Sequence, residues 1–184
     1  MLLVNREDKN VLKQRLKEEN IQRKTISFYR YVNIPEPQKL RDELYKAWSE
    51  WNCFGRIYLA HEGINAQMSV PEEHWDAFVK HLHNIAFFKD VPFKHAVDGN
   101  GKSFYKLIVK VREKIVADGI NDPDFDPANT GSYLDAKGFN EAIADENTIV
   151  VDMRNHYESE VGRFDRAFCP NADTFREELP MVID

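Results

Sequence analysis

The sequence has few cysteines and no long apolar run, and both shortages narrow the class of protein. Its two cysteines, Cys53 and Cys169, are too few and too far apart for a disulfide framework or a cysteine-rich zinc site. No apolar run approaches the roughly 18 residues that a membrane span needs. The start, MLLVNREDKN, is charged by position 6 and has no long apolar region, so we expect no secretory signal. These absences predict a cytoplasmic protein in a reducing compartment, with no membrane partner.

The sequence does contain enough apolar residues for a core, and its charge is unevenly distributed. Hydrophobic residues make up 42% and charged residues 30% of the chain, which excludes wholesale disorder. The net charge of −6 divides unequally: residues 1–118 hold 20 basic and 16 acidic residues, whereas residues 119–184 hold 5 and 15. This break predicts two units with different surfaces, and we do not expect the acidic last third to contact nucleic acid broadly.

Periodicity predicts an α+β domain at residues 25–117, after a helical arm at residues 1–24. The arm contains an amphipathic helix from Val11 to about Glu19. The predicted strands are 25–32, 56–60, 64–70, 91–97 and 104–116, and the predicted helices are 37–51 and 75–85, the second preceded by a capping box from Ser69 to Glu72. This order, β-α-β-β-α-β with one additional strand, is typical of the ferredoxin-like arrangement, an antiparallel sheet with both helices on one face.

A second unit is predicted in the last third of the chain, after a linker at residues 118–131 that is rich in Asp, Asn, Gly and Pro. A short helix is predicted over 135–143, an apolar strand over 148–154 and a helical turn over 173–179. Such an apolar strand is typical of parallel sheets covered on both faces. Residues 119–184 supply too little to enclose such a sheet. We therefore expect either that the natural protein continues past Asp184 or that these residues are ordered only by packing against another part of the structure.

The sheet face opposite the helices is the first candidate site. Alternation assigns to it tyrosines, amides and a basic stripe on the last strand, namely Tyr29, Tyr31, Arg56, Tyr58, Asn65, Gln67, Lys106, Lys110, Arg112 and Lys114. Aromatic rings stack on bases and cations contact phosphates, so the pattern is compatible with single-stranded RNA binding. An ordinary solvated face, whose tyrosines pack on a neighbouring domain, remains the alternative.

Two further motifs allow either chemistry or a structural role. His61 and Glu62, in a predicted hairpin turn, suit acid–base chemistry, although a solvated turn is the commoner explanation. Asp152 and Arg154 follow an apolar strand, where open α/β sheets bind ligands, but they also suit an ion pair that holds a loop. We predict that neither cysteine is a nucleophile: the neighbourhood of Cys169 is acidic, and Cys53 is predicted to pack. The histidines have no metal-site spacing, so no metal is expected.

Longer stretches resemble known families. The segment DMRNHYESEVGRFDRA, followed by a proline and by TFREELP, resembles the opening of a rhodanese-like domain. Together with FGRIYLAHEGINAQMSV, KVREKIVADG and TIVVDMRNHYESEVG, it resembles the bacterial rhodanese-domain tRNA uridine hydroxylase family, from about residue 25 to the end. The resemblance implies an acylphosphatase-like, ferredoxin-like domain followed by the first part of a rhodanese-like domain at 132–184. It also implies tRNA as partner, no DNA, and oxygen-dependent hydroxylation of wobble uridine to 5-hydroxyuridine.

The same resemblance locates the active site and shows two departures from the rhodanese pattern. It implies that the reactive cysteine lies in a later loop, expected beyond residue 184, and that residues of the first strand and loop lie near it: Asp152, Arg154, His156 and Glu158. Arg163 and Arg166 replace a His and a Gly of that pattern, and Arg166 adopts positive φ less cheaply than Gly. Molecular oxygen is the implied co-substrate, with no cofactor evident. A rhodanese-type sulfurtransferase and a non-catalytic RNA-binding module remain alternatives.

Overall fold

The computed structural model describes residues 7–96, 102–116, 119–120, 126 and 129–183. The chain divides into two compact units, residues 1–116 and 117–184, and each is described by itself. Most of the predicted linker at 118–131 lies outside the described residues. Among the described residues, no helix is long and apolar enough to cross a membrane.

Among its described residues, the first unit contains three α-helices and five strands. In chain order they are α1 (Lys9–Glu18), β1 (Arg23–Tyr31), α2 (Pro37–Glu50), β2 (Phe54–Ala60), β3 (Gly63–Pro71), α3 (Trp75–Asn84), β4 (Lys94–His95) and β5 (Leu107–Val111). The predicted arm helix begins two residues earlier than expected, because the Asp8 carboxylate accepts hydrogen bonds from the backbone N–H groups of Asn10 and Val11. Its two leucines, Leu12 and Leu16, are buried, as the amphipathic pattern predicts.

The five strands form one sheet in the order β4-β1-β3-β2-β5. β3 is antiparallel to both β1 and β2, and β4 is antiparallel to β1. The ferredoxin-like α+β prediction is confirmed by this order. The expectation of a wholly antiparallel sheet is wrong for one pair, because the additional strand β5 lies at the edge beyond β2 and runs parallel to it.

The core lies between this sheet and the helices α2 and α3. Each helix buries one apolar stripe, with Leu44 and Trp48 on α2 and Phe78 and Leu82 on α3 all at 0% exposure. The strands contribute their inward-facing residues to the same core, namely Ile26, Phe28, Ile57, Leu59, Ile64, Ala66, Met68, Val70, Leu107 and Val109. The opposite face of the sheet, away from these side chains, is the one that alternation assigns to the candidate site.

Three predicted elements of the first unit are shorter or absent. The strand predicted at 104–116 is shortened to Leu107–Val111, the residues that pair with Gly55 to Leu59 of β2. The strand predicted at 91–97 is reduced to two residues. The capping-box prediction is wrong, because Ser69 lies inside β3, paired with Thr25, and α3 follows a single 3-10 turn without a side-chain cap.

In the part of the second unit that the structure describes there are three short helices: α4 (Ala136–Ile143), α5 (His156–Val161) and α6 (Phe175–Ile183). The helix predicted from Asp135 is confirmed, and the Asp135 carboxylate accepts a hydrogen bond of 2.7 Å from the Gly138 N–H. The strand predicted at 148–154 is wrong for the described residues. Only a single parallel bridge forms, between Val151 and Phe168, and Ile149 is 82% exposed. An apolar run becomes a strand only where neighbouring strands pair with it.

The turn between β2 and β3 depends on Gly63. Its φ is +146°, and a Cβ built there would lie 2.0 Å from the backbone oxygen of Arg30. We predict that Gly63→Ala lowers the free energy of unfolding by about 2–4 kcal/mol, because the backbone of β1 must move. Urea unfolding measures this loss. The control is Ser27→Ala, four residues from Tyr31 in the same strand, where a change within about 0.5 kcal/mol is expected. Equal stability of both variants would contradict the argument.

Candidate functional site

Strand register brings four of the polar and aromatic side chains into one row across the sheet. Because Tyr29 pairs with Asn65, Asn65 with Tyr58 and Tyr58 with Lys110, their side chains point to the same side. From edge to edge, the row is Lys110, Tyr58, Asn65 and Tyr29. All four are exposed or half-buried, whereas their neighbours along the strands, such as Ile57 and Ala66, are buried. The predicted face is therefore present for these four residues.

A second row lies beside the first, two residues along each strand. It consists of Ile108, Arg56, Gln67, Ser27 and Lys94. Arg56, Gln67 and Lys94 are exposed. We call the two rows together the open face, because α2 and α3 cover the opposite side of the sheet. The open face has cations near both edges and in its middle, with aromatic rings between them.

Rings and cations on or beside the open face are in direct contact. The ring centroids of Tyr29 and Tyr31 lie 6.4 Å apart in an edge-to-face arrangement. The Lys94 ammonium lies 5.8 Å from the centroid of Tyr29, and the Arg112 guanidinium lies 5.6 Å from that of Tyr58. These are cation–π distances. Tyr29 and Tyr58 therefore each have a positive charge beside the ring, which is the combination that stacks bases and neutralises phosphates.

The predicted basic stripe on one strand is not observed. Only Lys110 of its four cations lies within β5. Lys106 precedes the strand, with its ammonium 5.9 Å from the ring of Tyr105, and Arg112 and Lys114 follow the end of the strand. The prediction failed because it extended the alternation beyond residue 111, where pairing with β2 stops.

His61 and Glu62 are engaged with the backbone. The Glu62 carboxylate accepts a 2.7 Å hydrogen bond from the Ile115 N–H. The His61 Nδ1 lies 3.0 Å from the carbonyl oxygen of Ile34. Both side chains thus hold neighbouring segments, which favours the structural interpretation of this turn. The contact of Glu62 with Ile115 could not be predicted from the sequence, because the two partners lie far apart in it.

In the second unit, Asp152 and Arg154 form a two-pronged ion pair. The Arg154 guanidinium donates to both carboxylate oxygens, at 2.9 and 2.6 Å, and its Nη2 also donates to the carbonyl of Gly162 at 2.7 Å. These hydrogen bonds, led by the one from the Arg154 side chain, hold the pKa of Asp152 below its usual range. The predicted alternative of a pair that holds a loop is therefore observed, because Arg154 ties the start of the loop to its end.

His156 and Glu158 lie in the first turn of α5, just after this pair. The backbone N–H of His156 donates to the Ala172 carbonyl at 3.0 Å, and the Nε2 of its ring lies 3.8 Å from a carboxylate oxygen of Glu160. Its Nδ1 is buried and has no hydrogen-bond partner among the described residues. The four residues that the resemblance places near an active-site loop therefore occupy one continuous segment, from Asp152 to Glu158.

Glu178, which was not among the predicted site residues, is fully buried in α6. Neither oxygen of its carboxyl group has a hydrogen-bond partner among the described residues. Burial raises the pKa of Glu178, and the charges of Asp152 and Glu158 raise it further. Glu178 therefore belongs electrostatically to the Asp152–Glu158 segment. A glutamate in a short helix is typical of a surface residue, so no local signal identifies it.

The loop that departs from the rhodanese pattern adopts the conformation that a glycine would favour. Arg166 has φ +60°, in the left-handed region, and its guanidinium donates to the Ile143 carbonyl at 2.6 Å. The Sγ of Cys169, three residues later, lies 3.6 Å from the Ala167 carbonyl. The described residues contain no group of three or more His, Cys, Asp or Glu side chains that could hold a metal ion.

These features define the class of protein: a two-unit α+β chain whose first unit is a ferredoxin-like domain with one basic and aromatic sheet face. Comparison with protein families is more specific. The family described as "UPF0176 acylphosphatase like domain" matches residues 23–115, which contain the whole five-stranded sheet. The chain belongs to this family.

Several curated relatives carry the name tRNA uridine(34) hydroxylase. The relative from Leptospira interrogans serovar Lai is 53% identical over 176 residues, covering 96% of this chain and 48% of the relative. Those from Escherichia fergusonii and Enterobacter sp. (strain 638) are each 50% identical over the whole chain and 53% of their own length. The resemblance indicated by the sequence motifs is confirmed. The chain spans about half the length of these relatives.

The two cysteines differ in their expected reactivity. Burial raises the pKa of the Cys53 thiol to about 12, against the opposing effect of the Arg23 charge, whereas Cys169 is only half-buried. Because the thiolate is the reactive form, we predict that iodoacetamide at about pH 8 labels Cys169 at least about tenfold faster than Cys53. Mass spectrometry of the labelled peptides measures both rates. In urea the two rates should converge, and equal rates in the folded protein would contradict the burial argument.

Proposed function

We propose that this protein is a tRNA-modifying enzyme that hydroxylates the wobble uridine, and that it acts in the cytoplasm. The observation that carries the proposal is identity at about half of all positions, over the whole chain, with proteins named tRNA uridine(34) hydroxylase. The reaction replaces the C5–H bond of uracil by C5–OH. With O2 as co-substrate, the second oxygen atom leaves as water, which requires two electrons and two protons from a reductant.

We propose the open face as the tRNA contact. A wobble uridine lies in a single-stranded loop, whose bases can be splayed out and stacked on aromatic side chains. Tyr29 and Tyr58 supply such surfaces, and Arg56, Lys94 and Lys110 supply charge for the neighbouring phosphates. The second unit, by contrast, carries a large excess of acidic residues, so we do not expect it to contact the phosphates over a broad area.

We further propose that the segment from Asp152 to Glu158 lines the active site of the second unit. The support is its geometry: the Asp152–Arg154 pair fixes the start of the loop, and Arg154 also donates to the Gly162 carbonyl at its end. Burial raises the pKa of Glu178, and the charges of Asp152 and Glu158 raise it further. Buried ionisable groups with shifted pKa values cluster at functional sites. In this proposal the Asp152–Arg154 pair positions the loop, and His156 and Glu158 are the candidates for proton transfer.

The open face is tested by the double substitution K110A/R112A. We expect weaker tRNA binding and a salt dependence that is shallower by about 0.7–0.9 log units for each phosphate that the variant no longer neutralises. The matched control is K46A/K80A, which removes two exposed cations from α2 and α3 on the opposite side of the sheet. Filter binding over a series of salt concentrations measures both slopes. If the two double variants behave alike, the open face is only a solvated surface.

The reaction is tested by nucleoside mass spectrometry of tRNA from a deletion strain. We expect 5-hydroxyuridine and its derivatives at position 34 to disappear and to return with the intact gene. Loss of thiolated nucleosides with 5-hydroxyuridine retained would instead support a rhodanese-type sulfurtransferase. An unchanged nucleoside profile, with tRNA binding intact, would support a non-catalytic RNA-binding module.

A further inference from the structure

The arm helix α1 is anchored to the first unit. Its two leucines are buried, and the chain that follows it is fixed by an ion pair of 2.7 Å between Glu19 and Arg23. The Arg23 side chain is fully buried, donates to the Asn52 carbonyl at 2.8 Å and lies over the ring of Phe54. Breaking this pair would leave a buried charge without its partner, so α1 is a fixed element of the unit and not a loose tail.

The arm carries a row of exposed cations whose charges are not neutralised within it. Lys9, Lys13 and Lys17 are spaced four residues apart, so they lie on one side of α1, next to the buried stripe of Leu12 and Leu16. None of the three lysines forms an ion pair with another described residue. The carboxylates of the arm, by contrast, each accept a hydrogen bond from another group of the arm: Glu7, Asp8, Glu18 and Glu19. We call the three lysines the lysine flank.

Tyr105 connects the lysine flank to the edge of the sheet. The Lys13 ammonium lies 5.8 Å from the centroid of the Tyr105 ring, and the Lys106 ammonium lies 5.9 Å from the same centroid. The Gly55 N–H donates to the Lys106 carbonyl at 2.9 Å, so Lys106 is bonded to β2 directly before β5 begins. β5 is the edge strand and carries Lys110 of the open face. The lysine flank and the open face therefore adjoin the same edge strand.

The chemistry of the lysine flank favours phosphates as its ligands. The helix α1 has no aromatic ring on which a base could stack. Its leucines are buried against the first unit, so no apolar stripe is left for a lipid surface. Lysine ammonium groups bind phosphates as point charges. Double-stranded RNA is bound mainly through its shape, its phosphates and its 2′-hydroxyl groups, with no need for unstacked bases.

We propose that the lysine flank binds phosphates of the helical RNA stem that adjoins the single-stranded loop held on the open face. The inference rests on the proposed function and deepens it, because it divides the tRNA contact into two parts. The rings of the open face take unpaired bases, and α1 takes the backbone of the stem. Since phosphate contacts carry no sequence information, the lysine flank contributes affinity and orientation and not the choice of base.

The experiment compares two RNA probes, a hairpin made of the anticodon stem and loop, and the loop alone as a single strand. The test variant is K13A/K17A in the full-length protein. The matched control is K46A/K80A, which also removes two exposed lysines from helices of the first unit. Alanine is a strong helix former, so α1 should keep its helical structure, as circular dichroism checks.

The two probes should respond differently to the same substitution. With the hairpin, K13A/K17A should lower the slope of log affinity against log salt by about 0.7–0.9 for each phosphate contact that is lost. With the loop alone, K13A/K17A should bind like the wild type. The variant K13R/K17R keeps both charges and should bind both probes like the wild type. Y58A should weaken binding of both probes, because each contains the unpaired bases.

Three results would overturn the proposal. Wild-type binding of the hairpin by K13A/K17A would show that the lysine flank is only a solvated surface. Equal losses in K13A/K17A and K46A/K80A would reduce its effect to net charge. Equal losses for the hairpin and the loop would assign the lysines to the loop and not to the stem.

Failure of this inference is distinguishable from failure of the proposed function. If only the inference fails, the wild type still binds both probes and K110A/R112A still weakens binding. If the proposed function fails, the wild type binds neither probe, which overturns both proposals.

Discussion

The register of β3 between β1 and β2 is the constraint on which the first unit depends. Side chains alternate along a strand, so this one register directs Ala66 and Met68 into the core and Asn65 and Gln67 onto the open face. A slip by one residue would exchange the two sets. The close backbone approach at Gly63, where no Cβ fits beside β1, opposes such a slip. The same contacts therefore specify the core and the surface proposed to bind tRNA.

The sequence predicts well those features that depend on local alternation or helical periodicity, such as the face of the sheet on which a side chain lies. Tyr29, Tyr58 and Asn65 were assigned to the correct face, because each lies in a strand paired along its length. The end of β5 was not predicted, because it depends on where pairing with β2 stops, and that involves another segment of the chain. The contact of Glu62 with Ile115 is likewise non-local, and no spacing rule identifies it.

The second unit shows the same division between local and non-local signals. The pairing of Asp152 with Arg154 was among the predicted alternatives, because the two residues are only two positions apart in the sequence. The strand before them was not formed, because strand formation requires pairing partners that an apolar sequence does not by itself provide. Glu178 was missed for a related reason: its burial comes from the packing of α6 and not from its own neighbours in sequence.

Charge alone does not explain how a protein with a net charge of −6 would bind tRNA. The cations on the open face are few and dispersed, so the salt-dependent part of the affinity is limited. Stacking on an aromatic ring contributes about 1–3 kcal/mol for each base and does not depend on net charge. Tyr29 and Tyr58, two strands apart in one row, therefore have to supply much of the proposed affinity. Stacking requires unpaired bases, so a surface built in this way discriminates a single-stranded loop from a helical stem, whereas a purely basic surface would not.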